Sequence, residues 1–128
     1  MSISRAKVFT VLMIVSLFGA NVAVLSQGKR LTTREAQHHI GHQGTVCGMV
    51  RSERYLPKMR GSPTYLDLDQ AYPDQRFSVV IWGMNRTRFK HPETYRDHSI
   101  CITGRIGTDR GLPEMIISDP GQLSVNTP

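Results

Sequence analysis

Two cysteines, Cys47 and Cys101, are the residues of this 128-residue chain whose chemistry is easiest to infer. Each lies in a segment where apolar residues alternate with others, a pattern typical of a half-buried strand. The apolar neighbours, such as Val46 and Ile100, share the opposite face, so both thiols point away from the apolar side. Cysteines on the same side of neighbouring strands can form a disulfide, and two free buried thiols are the alternative.

Basic and aromatic residues that could hold a polyanion form a second candidate group. Arginine binds phosphate through its planar donor fork, and aromatic rings stack on nucleobases. The candidate nucleic-acid-binding residues are Arg51, Arg54, Tyr55, Lys58, Arg60, Tyr65, Trp82 and Arg110. Solvated loop cations and structural aromatic residues are the alternative interpretation, because modest surface charge is common in soluble domains.

Acidic residues on the same segments oppose phosphate binding. Asp67 and Asp69 are expected to point outward beside Tyr65, where they would repel phosphate. Together with Arg51 they could also suggest a calcium-dependent nuclease. The chain offers no nucleophile with a base and no phosphate-cradling glycine loop, so we predict that it is not an enzyme.

The remaining charged groups suggest no further site. His38, His39 and His42 lie close together, but no carboxylate or thiolate completes a metal site, and we predict neither a metal nor a cofactor. A second basic strip is interpreted as a solvated face; it comprises Arg86, Arg88, Lys90 and Arg96.

Five strands and one helical connection are predicted to position these residues. Alternating segments separated by Gly- and Pro-rich turns predict strands at about 44–55, 64–69, 77–82, 99–107 and 113–118. A short helix is expected to begin at Thr32-Thr33 and to end near Gly41. Five short strands with a helical insertion (85–97) between the third and fourth are the element order of an OB-fold barrel. An open five-stranded meander is the alternative; closure is favoured because it removes exposed edges.

These segments resemble small bacterial OB-fold domains of the nucleic-acid-binding, tRNA-anticodon-like type over nearly all of residues 36–123. The resemblance rests mostly on core and turn positions, at 39–41, 45–48, 64–68, 72–73, 77–83, 92–95, 100–106, 111–114 and 119–120. It implies an all-β, five-stranded Greek-key barrel and a binding module whose default ligand is nucleic acid. Such modules bind on the face of strands two and three, between the loops joining strands one to two and four to five. The candidate residues named above lie on those elements or on the approaches to the first loop.

The N-terminus predicts export. Arg5 and Lys7 precede an uncharged apolar run from residue 8 to residue 25, which is the layout of a secretory signal. The run is long enough that an uncleaved membrane anchor is the alternative. We therefore expect a signal peptide or anchor at 1–28 and one OB-fold domain at 29–128, placed in the periplasm, secreted, or tethered to the membrane. An oxidising compartment would allow the disulfide to persist.

Charge and fold together predict a binding function. The net charge is +6, and without Arg5 and Lys7 fourteen basic residues face ten acidic ones, leaving +4. We expect an exported, non-catalytic OB-fold module for single-stranded nucleic acid or another anionic polymer. The alternative is a structural or protein-interaction module of the cell envelope, with an envelope protein as partner; the calcium-dependent nuclease is the least favoured hypothesis.

Overall fold

The computed structural model describes residues 28–126 of the chain. The predicted signal peptide or anchor therefore lies outside the described residues, apart from Gly28. Within residues 28–126, no helix is long and apolar enough to cross a membrane.

Short strands make up most of the regular structure. The strands are β1 (Arg30–Thr32), β2 (Gln43–Tyr55), β3 (Thr64–Leu68), β4 (Phe77–Ile81), β5 (Ser99–Arg105), β6 (Gly107–Asp109), β7 (Leu112–Ile116) and β8 (Leu123–Val125). The α-helices are α1 (Thr33–Ala36) and α2 (Gly83–Arg86), and short 3₁₀ helices occupy Thr87–Phe89, Pro92–Tyr95 and Pro120–Gln122. The helical connection predicted between the third and fourth strands is thus confirmed as α2 and the first two 3₁₀ helices.

The strands form one mixed sheet in the order β6-β7-β4-β3-β2-β5-β8, with β1 parallel beside β2. The long strand β2 pairs with β5 along its first half and with β3 along its second half. A bulge between Val50 and Ser52 separates the two halves, and bulges bend and twist a strand. Strands β4 and β7 are parallel, and the other neighbours along this order are antiparallel.

The sheet is not closed into the predicted five-stranded barrel. Strand β8 pairs with the outer edge of β5 at residues 100–102, with Ile102 opposite Leu123, and β7 does not pair with β5. The predicted fourth strand is also divided at Ile106 into β5 and β6, and only β6 pairs with β7. The fold is therefore mostly β, with an open mixed sheet.

Alternating apolar side chains build the core as the sequence predicted. Leu66 and Leu68 of β3 and Val79 and Ile81 of β4 are fully buried. Phe89 is also buried and belongs to this core, so it packs the helical connection against the sheet. Burial of such side chains contributes about 1.5–3 kcal/mol each.

The predicted helix start is confirmed, whereas its predicted end is not. Thr32 caps α1 by accepting a hydrogen bond from the backbone N–H of Glu35, and the Glu35 carboxylate accepts one from the backbone N–H of Thr32. The helix ends at Ala36, before the turn that contains Gly41 with φ +87°. A left-handed residue cannot continue a helix, and glycine adopts this conformation without steric cost.

Cys47 and Cys101 form a disulfide. They are directly opposite each other on β2 and β5, and their Cα atoms are 4.1 Å apart. Residues 28–126 contain no free cysteine. A disulfide is typical of an oxidising, exported compartment.

Candidate functional site

The outer face of the sheet, which is the side opposite the core, carries polar side chains from adjacent strands. Cross-strand register places Arg54 opposite Tyr65, Ser52 opposite Asp67, and Asp67 opposite Ser78. Ser78 is in turn opposite Glu114 of β7. Because side chains alternate between the faces of a strand, these residues share one side of β2, β3, β4 and β7.

Asp67 lies at the centre of this face and is completely buried. Its Oδ2 atom accepts hydrogen bonds from Arg54 Nε at 2.8 Å and from Ser52 Oγ at 2.7 Å. Its Oδ1 atom accepts from Arg54 Nη2 at 3.0 Å and from Ser78 Oγ at 3.2 Å. The carboxylate is thus paired with a guanidinium group and shielded from solvent. Asp67 lies on the outer face as expected, but the expectation that it is exposed there and repels phosphate is wrong.

Asp69 was expected to project beside Tyr65 and is also held internally. One carboxylate oxygen accepts a hydrogen bond from the backbone N–H of Met49 at 3.0 Å, and the other accepts from the hydroxyl of Thr33. These bonds join the end of β3 to β2 and α1, so Asp69 has a structural role.

Arg54 contacts two tyrosine rings. Its guanidinium carbon is 4.5 Å from the ring centroid of Tyr65 and 3.9 Å from that of Tyr72, both within cation–π range. The backbone N–H of Tyr72 donates to Ser52 Oγ at 3.0 Å, which holds this residue against β2. Burial lowers the pKa of Arg54, but the hydrogen bond and the charge of Asp67 outweigh that effect, and the pKa is raised. The guanidinium therefore stays charged. Tyr72 remains 55% exposed, so this arginine–tyrosine stack presents an aromatic surface to solvent.

A cleft of about 340 Å³ lies beside the stack, and we call it the tyrosine cleft. It is lined by Arg54, Leu56, Met59, Tyr65, Tyr72, Gln75, Ser78, Asp109, Arg110, Leu112 and Glu114. Burial and the nearby charge of Asp109 raise the pKa of Glu114. Burial, followed by the charges of Glu114 and Asp109, raises the pKa of Tyr65, while Arg54 and Arg110 act in the opposite direction. The cleft therefore combines aromatic rings with charges of both signs.

A second cleft of about 510 Å³, the tryptophan cleft, is lined by Tyr55, Gly61, Ser62, Trp82, Gly83 and Met84. The Trp82 ring packs on the backbone of Gly61, where an added Cβ would lie 2.7 Å from a ring carbon. The backbone N–H of Gly83 donates to the carbonyl of Gly61 at 2.8 Å. The β2–β3 loop at 56–63 separates the two clefts, because Leu56 and Met59 line one and Gly61 lines the other.

Arg86 supports the tryptophan cleft instead of lying on a solvated face. Its guanidinium carbon is 3.9 Å from the ring centroid of Tyr55, and its Nη1 atom donates to the hydroxyl of Thr64. The same nitrogen is 3.8 Å from Glu53 Oε1. The prediction of a solvated strip is wrong for Arg86. The other three members of the strip, Arg88, Lys90 and Arg96, are exposed.

Of the eight residues predicted to bind nucleic acid, five line the two clefts. Arg54, Tyr65 and Arg110 line the tyrosine cleft, and Tyr55 and Trp82 line the tryptophan cleft. The remaining three are exposed cations outside both linings: Lys58 and Arg60 on the intervening loop, and Arg51 at the bulge of β2.

Tyr72 and Glu114 are site residues that sequence reasoning missed. An aromatic residue before Pro73 in a turn was the available signal for Tyr72, and the inward neighbours Pro113 and Met115 were the signal for an outward Glu114. Within residues 28–126, no three His, Cys, Asp or Glu side chains are grouped so that they could hold a metal ion.

Two solved structures share the fold. The structure of OBody AM1L10 bound to hen egg-white lysozyme has a TM-score of 0.55 at 18% identity and covers 83% of this chain and 100% of that chain. A structure described as an aspartyl-tRNA synthetase from Leishmania major Friedlin has a TM-score of 0.50 at 6% identity and covers 83% of this chain. This chain spans 22% of the synthetase's length. No protein-family model and no curated protein matches the sequence. At these identities the likeness concerns the fold alone, and it is consistent with an OB-like arrangement of the strands.

Proposed function

We propose that this chain is an exported, non-catalytic OB-like binding module that holds single-stranded nucleic acid across the outer face of its sheet. The observation that carries the proposal is the exposed ring of Tyr72, which contacts Arg54 and lines the tyrosine cleft. A ring held in place loses little entropy when a base stacks on it, and one stacked base contributes about 1–3 kcal/mol.

The distribution of charge assigns different roles to the cations. Arg54 is balanced by Asp67, so it positions the tyrosine rings and is not the phosphate ligand. Lys58, Arg60 and Arg110 are exposed around the clefts, where a phosphate backbone could run while its bases face the sheet. Contacts of this kind make affinity fall as salt concentration rises.

Export through residues 1–28 is part of this proposal. The disulfide supports an oxidising destination, and either the periplasm or the medium provides one. Membrane attachment would require the N-terminal segment to remain uncleaved.

Titration of Trp82 fluorescence with an oligonucleotide of about eight nucleotides, at low and at high salt, tests the proposal. We expect saturable binding that weakens at high salt. Tyr72→Ala should weaken binding by about 1–3 kcal/mol because it removes the stacking ring, whereas the matched control Tyr72→Phe keeps the ring and should bind nearly as well as the wild type. A wild-type protein that gives no saturable, salt-dependent response at micromolar oligonucleotide would refute the proposal.

A protein-interaction module of the cell envelope is the second candidate. Two exposed methionines favour it: Met84 is 85% exposed beside the tryptophan cleft, and Met59 is 49% exposed beside the tyrosine cleft. Methionine is common at adaptable binding surfaces, and the OBody neighbour is bound to a protein. This candidate predicts an envelope protein that co-purifies with the wild type but not with a Met59→Ser/Met84→Ser variant, together with indifference to oligonucleotides.

We do not propose a nuclease. Asp67 and Asp69, the carboxylates that such a site would use, are both engaged in hydrogen bonds within the domain.

A further inference from the structure

The tyrosine cleft contains a carboxylate that differs from the other acidic groups of the outer face. Asp67 is neutralised by Arg54, whereas Glu114 is partly buried in the cleft close to the like charge of Asp109, and the same cleft contains Arg54 and Arg110. Both burial and that neighbouring charge disfavour its ionised form, as its raised pKa indicates. A ligand that donates hydrogen bonds to Glu114 would relieve this cost.

The position of Tyr72 limits the shape of such a ligand. Its exposed ring lines the same cleft as Glu114, so a planar group that stacks on the ring within the cleft can meet the carboxylate with its edge. An ionised carboxylate only accepts hydrogen bonds, and its two oxygens match a pair of adjacent donors. The favoured edge therefore carries two neighbouring N–H groups.

Among the nucleobases, guanine has this arrangement, because its N1–H and its 2-amino group lie side by side. Adenine and cytosine place one amino group next to an acceptor, and thymine places its single N–H between two carbonyls. A base in a single strand can present this edge because it is not paired.

We infer that the tyrosine cleft selects guanine, with Tyr72 as the stacking platform and Glu114 as the acceptor for N1–H and the 2-amino group. The inference rests on the proposed function and adds a base preference to it. The exposed cations Lys58, Arg60 and Arg110 would hold the phosphates, so the carboxylate need not oppose binding of the strand as a whole.

Three oligonucleotides of equal length test the inference: thymidine throughout, the same strand with one central deoxyguanosine, and the same strand with deoxyinosine at that position. Inosine keeps N1–H and lacks the 2-amino group. For the wild type we expect the deoxyguanosine strand to bind about tenfold more tightly than the thymidine strand, with the inosine strand between them. Glu114→Gln should reduce this preference to about twofold or less while still binding the thymidine strand. Glu93→Gln is the control, because it removes the same charge from an exposed residue on the helical connection and should keep the wild-type preference.

The outcomes separate the two claims. Equal, salt-dependent binding of all three strands by the wild type would overturn the guanine preference and leave the proposed function intact. A preference that persists in Glu114→Gln would overturn the role of Glu114. If the wild type bound none of the strands, the proposed function and the inference would both fail.

Discussion

Asp67 places a negative charge on the outer face of the sheet without exposing that charge to solvent. Its carboxylate accepts four hydrogen bonds from Arg54, Ser52 and Ser78. The same arginine holds the rings of Tyr65 and Tyr72, so the buried ion pair also sets the geometry of the candidate site. Removing one partner of such a pair leaves an uncompensated charge.

Asp67→Ala should therefore destabilise the domain strongly. We expect a loss of about 3 kcal/mol in the free energy of unfolding, at the lower end of the range for buried pairs because Arg54 is partly exposed. Urea denaturation monitored by circular dichroism measures this loss. Asp74→Ala, which removes an exposed carboxylate from the turn before β4, should leave the midpoint nearly unchanged. Equal midpoints for the two variants would contradict the role assigned to Asp67.

Glu114 should make stability depend on pH. Burial and Asp109 raise the pKa of Glu114 in the folded state, so the folded protein holds this proton at pH values where the unfolded chain, with a pKa of about 4.3, has begun to lose it. Stability is therefore lost as pH rises from about 4.3 through the raised pKa of the folded state. Glu114→Gln should have a higher melting temperature than the wild type at about pH 7, and this advantage should shrink below about pH 4.

Glu93 serves as a comparison because its pKa is shifted in the opposite direction to that of Glu114. A backbone hydrogen bond, followed by the influence of His91 and Arg86, lowers its pKa, so its ionised form favours folding. Glu93→Gln should not raise the melting temperature at neutral pH. If Glu114→Gln behaved as Glu93→Gln does across the pH range, the environment described for Glu114 would be wrong.

At the level of elements, the loop at 56–63 contributes residues to both clefts. Its ends are joined by a hydrogen bond from the backbone N–H of Leu56 to the carbonyl of Pro63 at 2.9 Å. Its glycine, Gly61, has φ +81° and lies directly under the Trp82 ring. The position requires glycine for two reasons: its left-handed backbone and the close approach of the ring.

A comparison of Gly61→Ala with Gly111→Ala distinguishes the effect of the left-handed backbone from the effect of the nearby ring. Gly111 also has φ +81°, but nothing lies within 4 Å of the position that its Cβ would take. We expect Gly111→Ala to cost about 1 kcal/mol from backbone strain, and Gly61→Ala to cost about 1–3 kcal/mol more because the ring must move. The emission maximum of Trp82 should shift only in Gly61→Ala. Identical stability and fluorescence in the two variants would contradict the packing of Trp82 on this loop.

Strands with apolar alternation were predictable from the sequence, because successive side chains point to opposite faces and those on the buried face are apolar. Strands β1 and β8 were not, since each has three residues and forms only by pairing along an edge of β2 or β5. The closed barrel was predicted from the order of the elements, which gave no sign that β8 pairs with the edge of β5.

The part of the candidate site that lies on predicted loops and on the outward positions of alternating strands was predictable from the sequence. Arg54, Tyr65 and Arg110 were predicted together and line one cleft. The burial of Asp67 and the placement of Glu114 opposite Ser78 depend on strand register, which brings together residues distant in sequence. Residue types alone do not encode such pairings.

At the scale of the whole molecule, the disulfide closes most of the described domain into one loop. The two cysteines are 54 positions apart and join the first half of β2 to β5. In the chain-entropy model, a loop of that length stabilises the folded state by about 4 kcal/mol.

Reduction of the wild-type protein should therefore lower the free energy of unfolding by about 4 kcal/mol. Urea denaturation with and without reductant measures the difference. The Cys47→Ala/Cys101→Ala variant is the control, because reductant should not change its midpoint. A reduced wild type as stable as the oxidised form would show that the bond does not constrain the unfolded chain.

Ligand-induced changes in amide NMR shifts, recorded with a guanine-containing single strand, test the binding face most directly. We predict that the largest changes occur at Tyr65, Tyr72, Arg110 and Glu114, and that the strands β5 and β8 change little. Changes confined to β5 and β8, or no changes at saturating oligonucleotide, would contradict a nucleic-acid site on the outer face of the sheet.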